Sequence, residues 1–174
     1  MEAPMSLLQV FLFLHVLGAI IAFGPTFALP VIGAMGGKEP MHANFATRVG
    51  EALAKQRITP LAIVQGVTGL GLIFTSDVDL GKALWLQAGI LLWVIALGYG
   101  TAVQTPAVRR VIELTSGGPP PAGAAPAGAA PAGAAPAGPP PEVLAAIKKV
   151  QRGGMLLAGL ITVIVFLMVV KPGI

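Results

Sequence analysis

The sequence predicts an all-α protein: a transmembrane four-helix bundle with both termini outside and a disordered Pro/Ala/Gly insert on the cytoplasmic side. Three observations predict it. The first is composition. The 174-residue chain is 55% hydrophobic and only 10% charged, whereas a soluble domain carries about 25% charged residues. With a mean hydropathy of +0.84, it lacks the polar groups to cover a globular surface, and lipid is its natural solvent. The second is that the apolar residues gather into four stretches, against about 20 residues needed per helical span. The third is an uneven division of basic residues between the loops. The length fits one integral membrane domain over 1–174.

The first span is expected over about 6–29, with its apolar run reaching Met35; the others fall at about 59–74, 82–104 and 154–170. The first is read as a retained helix rather than a cleaved leader. Glu2 stands where a basic segment belongs, and no small-x-small site follows the apolar run.

Basic residues set the orientation. Lys38, Arg48, Lys55 and Arg57 lie in the first loop, and Arg109, Arg110, Lys148, Lys149 and Arg152 in the third; only Lys82 and Lys171 lie opposite. Positively charged loops stay in the cytoplasm. Loops 36–58 and 105–153 are therefore expected inside, in a multi-pass protein of the inner (plasma) membrane. The same placement accounts for the net charge of +4 without a nucleic-acid partner. The lipid bilayer is the partner it implies, with Lys148, Lys149 and Arg152 near anionic headgroups.

The first loop has helical spacing over about 42–58, with Phe45, Val49 and Leu53 recurring on one face and Glu51 four residues before Lys55. Pro60 should kink or restart this helix as it enters the second span. In the short outer loop, Asp77 and Asp79 are too few for a calcium loop and read as turn and cap residues. The third helix is expected to continue past a bend at Pro106, and the fourth to begin early, at Pro141. Between them lies a low-complexity linker, 117–141, built on PAGAA units starting at Pro121, Pro126 and Pro131. Nothing in it is bulky enough to make a core, so it is expected to be extended or disordered.

Few residues can carry chemistry. There is no cysteine, which excludes disulfides and thiolate sites. The spans offer one histidine and no carboxylate, too little for catalytic zinc, so no metal site is expected. Ser6, Ser76 and Ser116 have no base beside them. The balance leans away from an enzyme. His15 is the most informative position, because an ionisable residue deep in a span is costly and often functional. His15, Gln65 and Thr162 fall at similar depth and are expected to form one polar layer. His15 either ligates a haem or metal or handles a proton, or is a neutral group hydrogen-bonded across helices as a packing device. The haem reading makes haem the candidate cofactor, with Met155 or Met168 as conceivable axial partners.

Gly24, Pro25 and Pro30 interrupt the first helix pattern; they signal either a helix break facing a cavity or a simple kink. Gly18 with Ala22, and Gly98 with Ala102, have small-xxx-small spacing and favour close helix contact within or between chains. Trp85 suits an interfacial anchor, and Trp93 lies deeper.

The segments LHVLGAIIAFGPTFALP and TPLAIVQGVTGLGLI, a tryptophan-bearing third helix and a basic stretch before a fourth together resemble an uncharacterised family of predicted bacterial four-helix integral membrane proteins. More loosely, the first-helix Leu-His followed by small apolar residues is similar to copper-resistance-D and HemJ-type membrane proteins. The HemJ likeness implies haem association and protoporphyrinogen oxidation, and carries over to His15 alone; no lysine lies deep in a span to match a second polar position. Three function classes follow, in this order. The first is an accessory or packing module acting by self-association, as a homo-oligomer, or within a larger membrane complex. The second is a haem-binding or redox membrane protein using His15. The third is a small transporter using the interrupted first helix.

Overall fold

The computed structural model describes residues 5–39, 42–117 and 140–172. Among these, the regular structure is helical throughout: α1 (Leu7–Lys38), α2 (Ala43–Leu53), α3 (Thr59–Thr75), α4 (Leu84–Tyr99), α5 (Thr105–Thr115) and α6 (Pro141–Val170). A π-helical turn, Ala54–Ile58, joins α2 to α3, and a second, Gly100–Gln104, joins α4 to α5. Four continuous helices result, Leu7–Gly36, Ala43–Thr75, Leu84–Thr115 and Pro141–Val170, each long and apolar enough to cross a membrane. The linker core, 118–139, lies outside the described residues.

Each start and stop has a local cause. Ser6 caps α1 with a reciprocal pair: its hydroxyl accepts from Gln9 N–H at 3.3 Å, and Gln9 Oε1 accepts from Ser6 N–H at 2.9 Å. In the α3–α4 turn, the Asp79 carboxylate accepts from Gly81 N–H at 2.9 Å and pairs with Lys82 at 3.2 Å. Pro141 occupies the first turn of α6, where its missing N–H costs nothing.

Proline acts differently from the sequence expectation. Pro25 and Pro30 both lie inside an unbroken α1, so of the two readings of Gly24, Pro25 and Pro30 the helix break is absent. Proline withdraws one N–H and leaves the carbonyl four residues earlier unpaired; here Ile21 and Thr26 carry those carbonyls, and the flanking turns hold the helix. Pro60 and Pro106 do not interrupt their helices either, and each is met by a π turn. Each follows a threonine whose N–H reaches back five residues, Thr59 to Ala54 O and Thr105 to Gly100 O. A widened turn gives the proline ring room that a regular turn denies it. The Thr105 hydroxyl adds a bond to Gly100 O at 2.9 Å.

At 1.5 Å per residue, the 32-residue α1 is about 48 Å long, well beyond the roughly 30 Å hydrocarbon core. The surplus builds a second, polar layer from α2, α5, the end of α1 and the start of α6. Asn44 Nδ2 donates to Ile112 O at 3.1 Å and Thr115 Oγ1 at 2.9 Å, fastening α2 to the end of α5. Arg109 pairs with Glu51 at 3.1 Å, and Arg110 with Glu142 at 2.5 Å and Glu113 at 3.4 Å. The expected Glu51–Lys55 pair gives way to the Arg109 bridge. Phe45 is 67% exposed and not on the packed face. The close contacts of α2 run instead through Gly36 against Ala43 and Ala46, and Leu29 against Gly50.

Candidate functional site

The α1–α3 seam holds the polar centre of the bundle. The two helices run antiparallel, with Phe11 against Gly71, His15 beside Gly69, and Gly18 under Gln65. His15 Nδ1 lies 2.8 Å from Thr68 Oγ1. Gln65 Nε2 donates to the backbone carbonyl of His15 at 2.8 Å. A Cβ at Gly18 would stand 2.9 Å from Gln65 Oε1, and one at Gly69 would stand 3.3 Å from the His15 ring. Glycine on each helix therefore admits the polar group of the other. Gln65 and Thr68 are buried, and His15 is half-buried.

The geometry constrains the proton on His15. Thr68 Oγ1 also lies 3.0 Å from Val64 O, 3.2 Å from Gln65 O and 3.3 Å from Gln65 Oε1. All three are acceptors, and the hydroxyl has one proton to give. The arrangement is satisfied when Thr68 donates within α3 and His15 Nδ1–H donates to Thr68. Nε2 then carries the lone pair and has no partner among the described residues. A neutral imidazole held in this way through one nitrogen is oriented to offer the other to a ligand or a proton.

His15 and Gln65 are thus brought together, and Thr162 is not. Thr162 has the right depth, but its side chain is exposed and its hydroxyl donates to Ala158 O on its own helix at 2.9 Å. The neighbouring Ile161 takes the inward position, which leaves Thr162 about 100° round the helix. The polar layer is His15, Gln65 and Thr68. Thr68 was detectable from its place three residues after Gln65, on the same helix face.

Other interhelical bonds were not visible in the pattern. Trp93 Nε1 donates to Ala62 O at 3.0 Å, and its ring lies where a Cβ of Gly66 would stand. Gln104 Nε2 donates to Val150 O at 3.0 Å beside Gly153. Trp85, in the first turn of α4 at the end expected outside, is buried, with Lys171 Nζ 5.4 Å from its ring centroid. Thr26 Oγ1 is a buried side-chain oxygen without a hydrogen-bond partner. No group of three or more His, Cys, Asp or Glu able to hold a metal ion occurs among the described residues.

The four long apolar helices and their hydrogen-bonded seam define a small multi-pass α-helical membrane protein. Its sequence places it more narrowly: the chain belongs to a family described as predicted integral membrane protein (DUF2269), whose profile matches residues 9–117. The match takes in nearly all of α1 and the whole of α2 to α5, and ends where the Pro/Ala/Gly linker begins. No curated protein and no solved structure matches the chain.

Proposed function

We propose that the protein is an accessory membrane module that acts by self-association, with the outward face around Gly98 and Ala102 as the contact between copies. The observation that carries this reading is the different use of the two small-residue pairs. Gly18 and Ala22 are buried inside the chain. Gly98 and Ala102 are exposed, and a Cβ at Gly98 would meet nothing within 4 Å. A smooth strip of this kind lets a second helix approach closely, and packing is the main source of helix affinity in lipid. The seam residues His15, Gln65 and Thr68 act here as an internal clamp.

The cysteine-free chain makes the test clean. Ile95→Cys or Ala102→Cys is expected to form a cross-linked dimer in membranes under oxidant, and Val165→Cys on α6 is not. Equal cross-linking at all three, or a monomer mass in nanodiscs that Gly98→Leu leaves unchanged, would overturn the reading.

The proposed topology places both termini outside an inner membrane, supported by the distribution of Lys and Arg. A membrane-impermeant maleimide applied to intact spheroplasts should label Asp77→Cys and spare Phe45→Cys. The reverse pattern inverts the topology.

A second reading is favoured by the His15 geometry: a haem-binding or redox protein in which Nε2 is the ligand atom and Thr68 fixes the ring. One histidine can supply one axial bond. Protein purified from haem-replete cells should then show a Soret band that His15→Ala removes; a colourless wild-type protein ends this reading. The transporter reading loses its motive, since α1 is unbroken.

A further inference from the structure

A cleft of about 350 Å³ opens between α5 and the start of α6. Its walls include Val103, Pro106, Ala107 and Ala146, and Arg110 and Lys149 stand at its rim. Depth along two separate helices fixes where this cleft meets the bilayer. Counted from Leu84 at 1.5 Å per residue, Val103 is about 28 Å along its helix and Arg110 about 39 Å. Counted from Val170, Lys149 is about 32 Å along α6 and Ala146 about 36 Å. With a hydrocarbon core of roughly 30 Å, Val103 lies at its edge and both cations lie in the headgroup layer.

The charge around the cleft is unbalanced. Arg109, Arg110, Lys148, Lys149 and Arg152 stand against Glu51, Glu113 and Glu142. Arg110 is shared between Glu142 and Glu113, and among the described residues Lys148, Lys149 and Arg152 have no carboxylate within 4.0 Å. Guanidinium offers five N–H donors, so Arg110 retains capacity for an anion beside its two carboxylates. Lys149 brings an uncompensated charge to the opposite side of the same cleft.

We infer that this cleft binds an anionic phospholipid, its headgroup phosphate between Lys149 and Arg110 and its first acyl carbons along Val103 and Pro106. A charged rim at headgroup depth above an apolar wall matches one kind of molecule in both halves. Ala102 belongs both to this wall and to the strip proposed between copies, so a second copy seated on that strip would lie against the bound lipid, and the lipid is tested on the monomeric form.

Native mass spectrometry of the full chain, equilibrated with phosphatidylglycerol or phosphatidylcholine of matched chains, tests it. Retention of phosphatidylglycerol over phosphatidylcholine is expected. Lys149→Gln should weaken it about fivefold, and Arg110→Gln with Lys149→Gln further, at about 1 kcal/mol per cation near the surface. Lys149→Arg should preserve it, and Arg57→Gln, outside the cleft, should leave it unchanged. Equal retention of the two lipids overturns the proposal, as does undiminished retention in Lys149→Gln. Protection by glycerol phosphate as strong as by the lipid would make the occupant a soluble anion and also overturn it. Thermal melts in phosphatidylcholine confirm that each variant is folded.

Discussion

His15 Nδ1 and Thr68 Oγ1 are 2.8 Å apart across the α1–α3 seam, and the acceptors around Thr68 favour His15 as the donor. With three carbonyl oxygens of α3 within 3.3 Å of the hydroxyl, the arrangement in which His15 donates leaves the threonine proton free to bond within α3. The ring should therefore be neutral and protonated at Nδ1, the less common tautomer in water. Nitrogen-15 chemical shifts of the labelled imidazole should give a pyrrole-type Nδ1 and a pyridine-type Nε2. Thr68→Val should move the proton to Nε2. A wild-type ring already protonated at Nε2 would mean that Thr68 donates to His15 instead.

The same seam gives a stability prediction. Interhelical hydrogen bonds in membranes contribute on average about 0.6 kcal/mol and at most about 1.7. A double-mutant cycle on His15→Phe and Thr68→Val should return a coupling in that range, read from unfolding in mixed micelles. Gln65→Leu should cost more than Thr68→Val, because Gln65 loses its bond to His15 O and its bulk must be rehoused against Gly18. A coupling near zero would reduce the seam to shape packing.

Glycines sort into two classes that substitution should separate. A Cβ at Gly153 would collide with Gln104 Oε1 and crowd the Tyr99 hydroxyl, and one at Gly66 would lie 2.7 Å from the Trp93 ring. Gly153→Ala and Gly66→Ala should each destabilise by roughly 1–3 kcal/mol, the usual cost of overpacking. Gly159, with nothing within 4 Å of its Cβ position, should accept Ala with a gain of up to about 1 kcal/mol from helix propensity. Melting curves of the three variants in one detergent are sufficient; equal effects would contradict the packing described.

How much of this was legible follows from what the sequence encodes along a helix and what it does not. Four apolar runs are a one-dimensional property, so the helices and their number were readable. Depth is also one-dimensional, and it paired His15 with Gln65. Azimuth is not fixed by depth, which is why Thr162 was assigned to the same layer although Ile161 takes the inward place. Proline announces a disturbance but not its form. Pro60 and Pro106 are accommodated by π turns whose register depends on Thr59 and Thr105 five residues after an acceptor, whereas Pro25 and Pro30 leave α1 continuous. Phe45 looked like a packing residue because its spacing matched Val49 and Leu53; tertiary contacts to α1 and α5 turned a different face inward.

The Glu51–Arg109 bridge links α2 to α5 at 3.1 Å, with Arg109 55% and Glu51 28% exposed. A pair this open to water should contribute roughly 0.2–1 kcal/mol and weaken as salt screens it. Arg109→Gln should therefore lower stability slightly at low salt and hardly at all in 1 M salt. A loss that persists undiminished in high salt would show that the arginine stem, rather than its charge, holds the two helices together.

Thr26 offers the sharpest test of the interior. It is 8% exposed and its Oγ1 has no partner. Pro30 cannot donate to the Thr26 carbonyl four residues before it, so this residue carries both an unpaired hydroxyl and a carbonyl deprived of its helical bond. An unsatisfied buried polar group costs roughly 1–3 kcal/mol, and valine has nearly the shape of threonine without the hydroxyl. Thr26→Val should accordingly raise the unfolding free energy by about 1 kcal/mol or more, with Thr26→Ser, which keeps the hydroxyl and loses a methyl, lowering it. The sign decides the matter: a destabilised Thr26→Val would show that the hydroxyl is paired in the membrane, through a water or a neighbouring chain, and that the α1 interior is hydrated at this level.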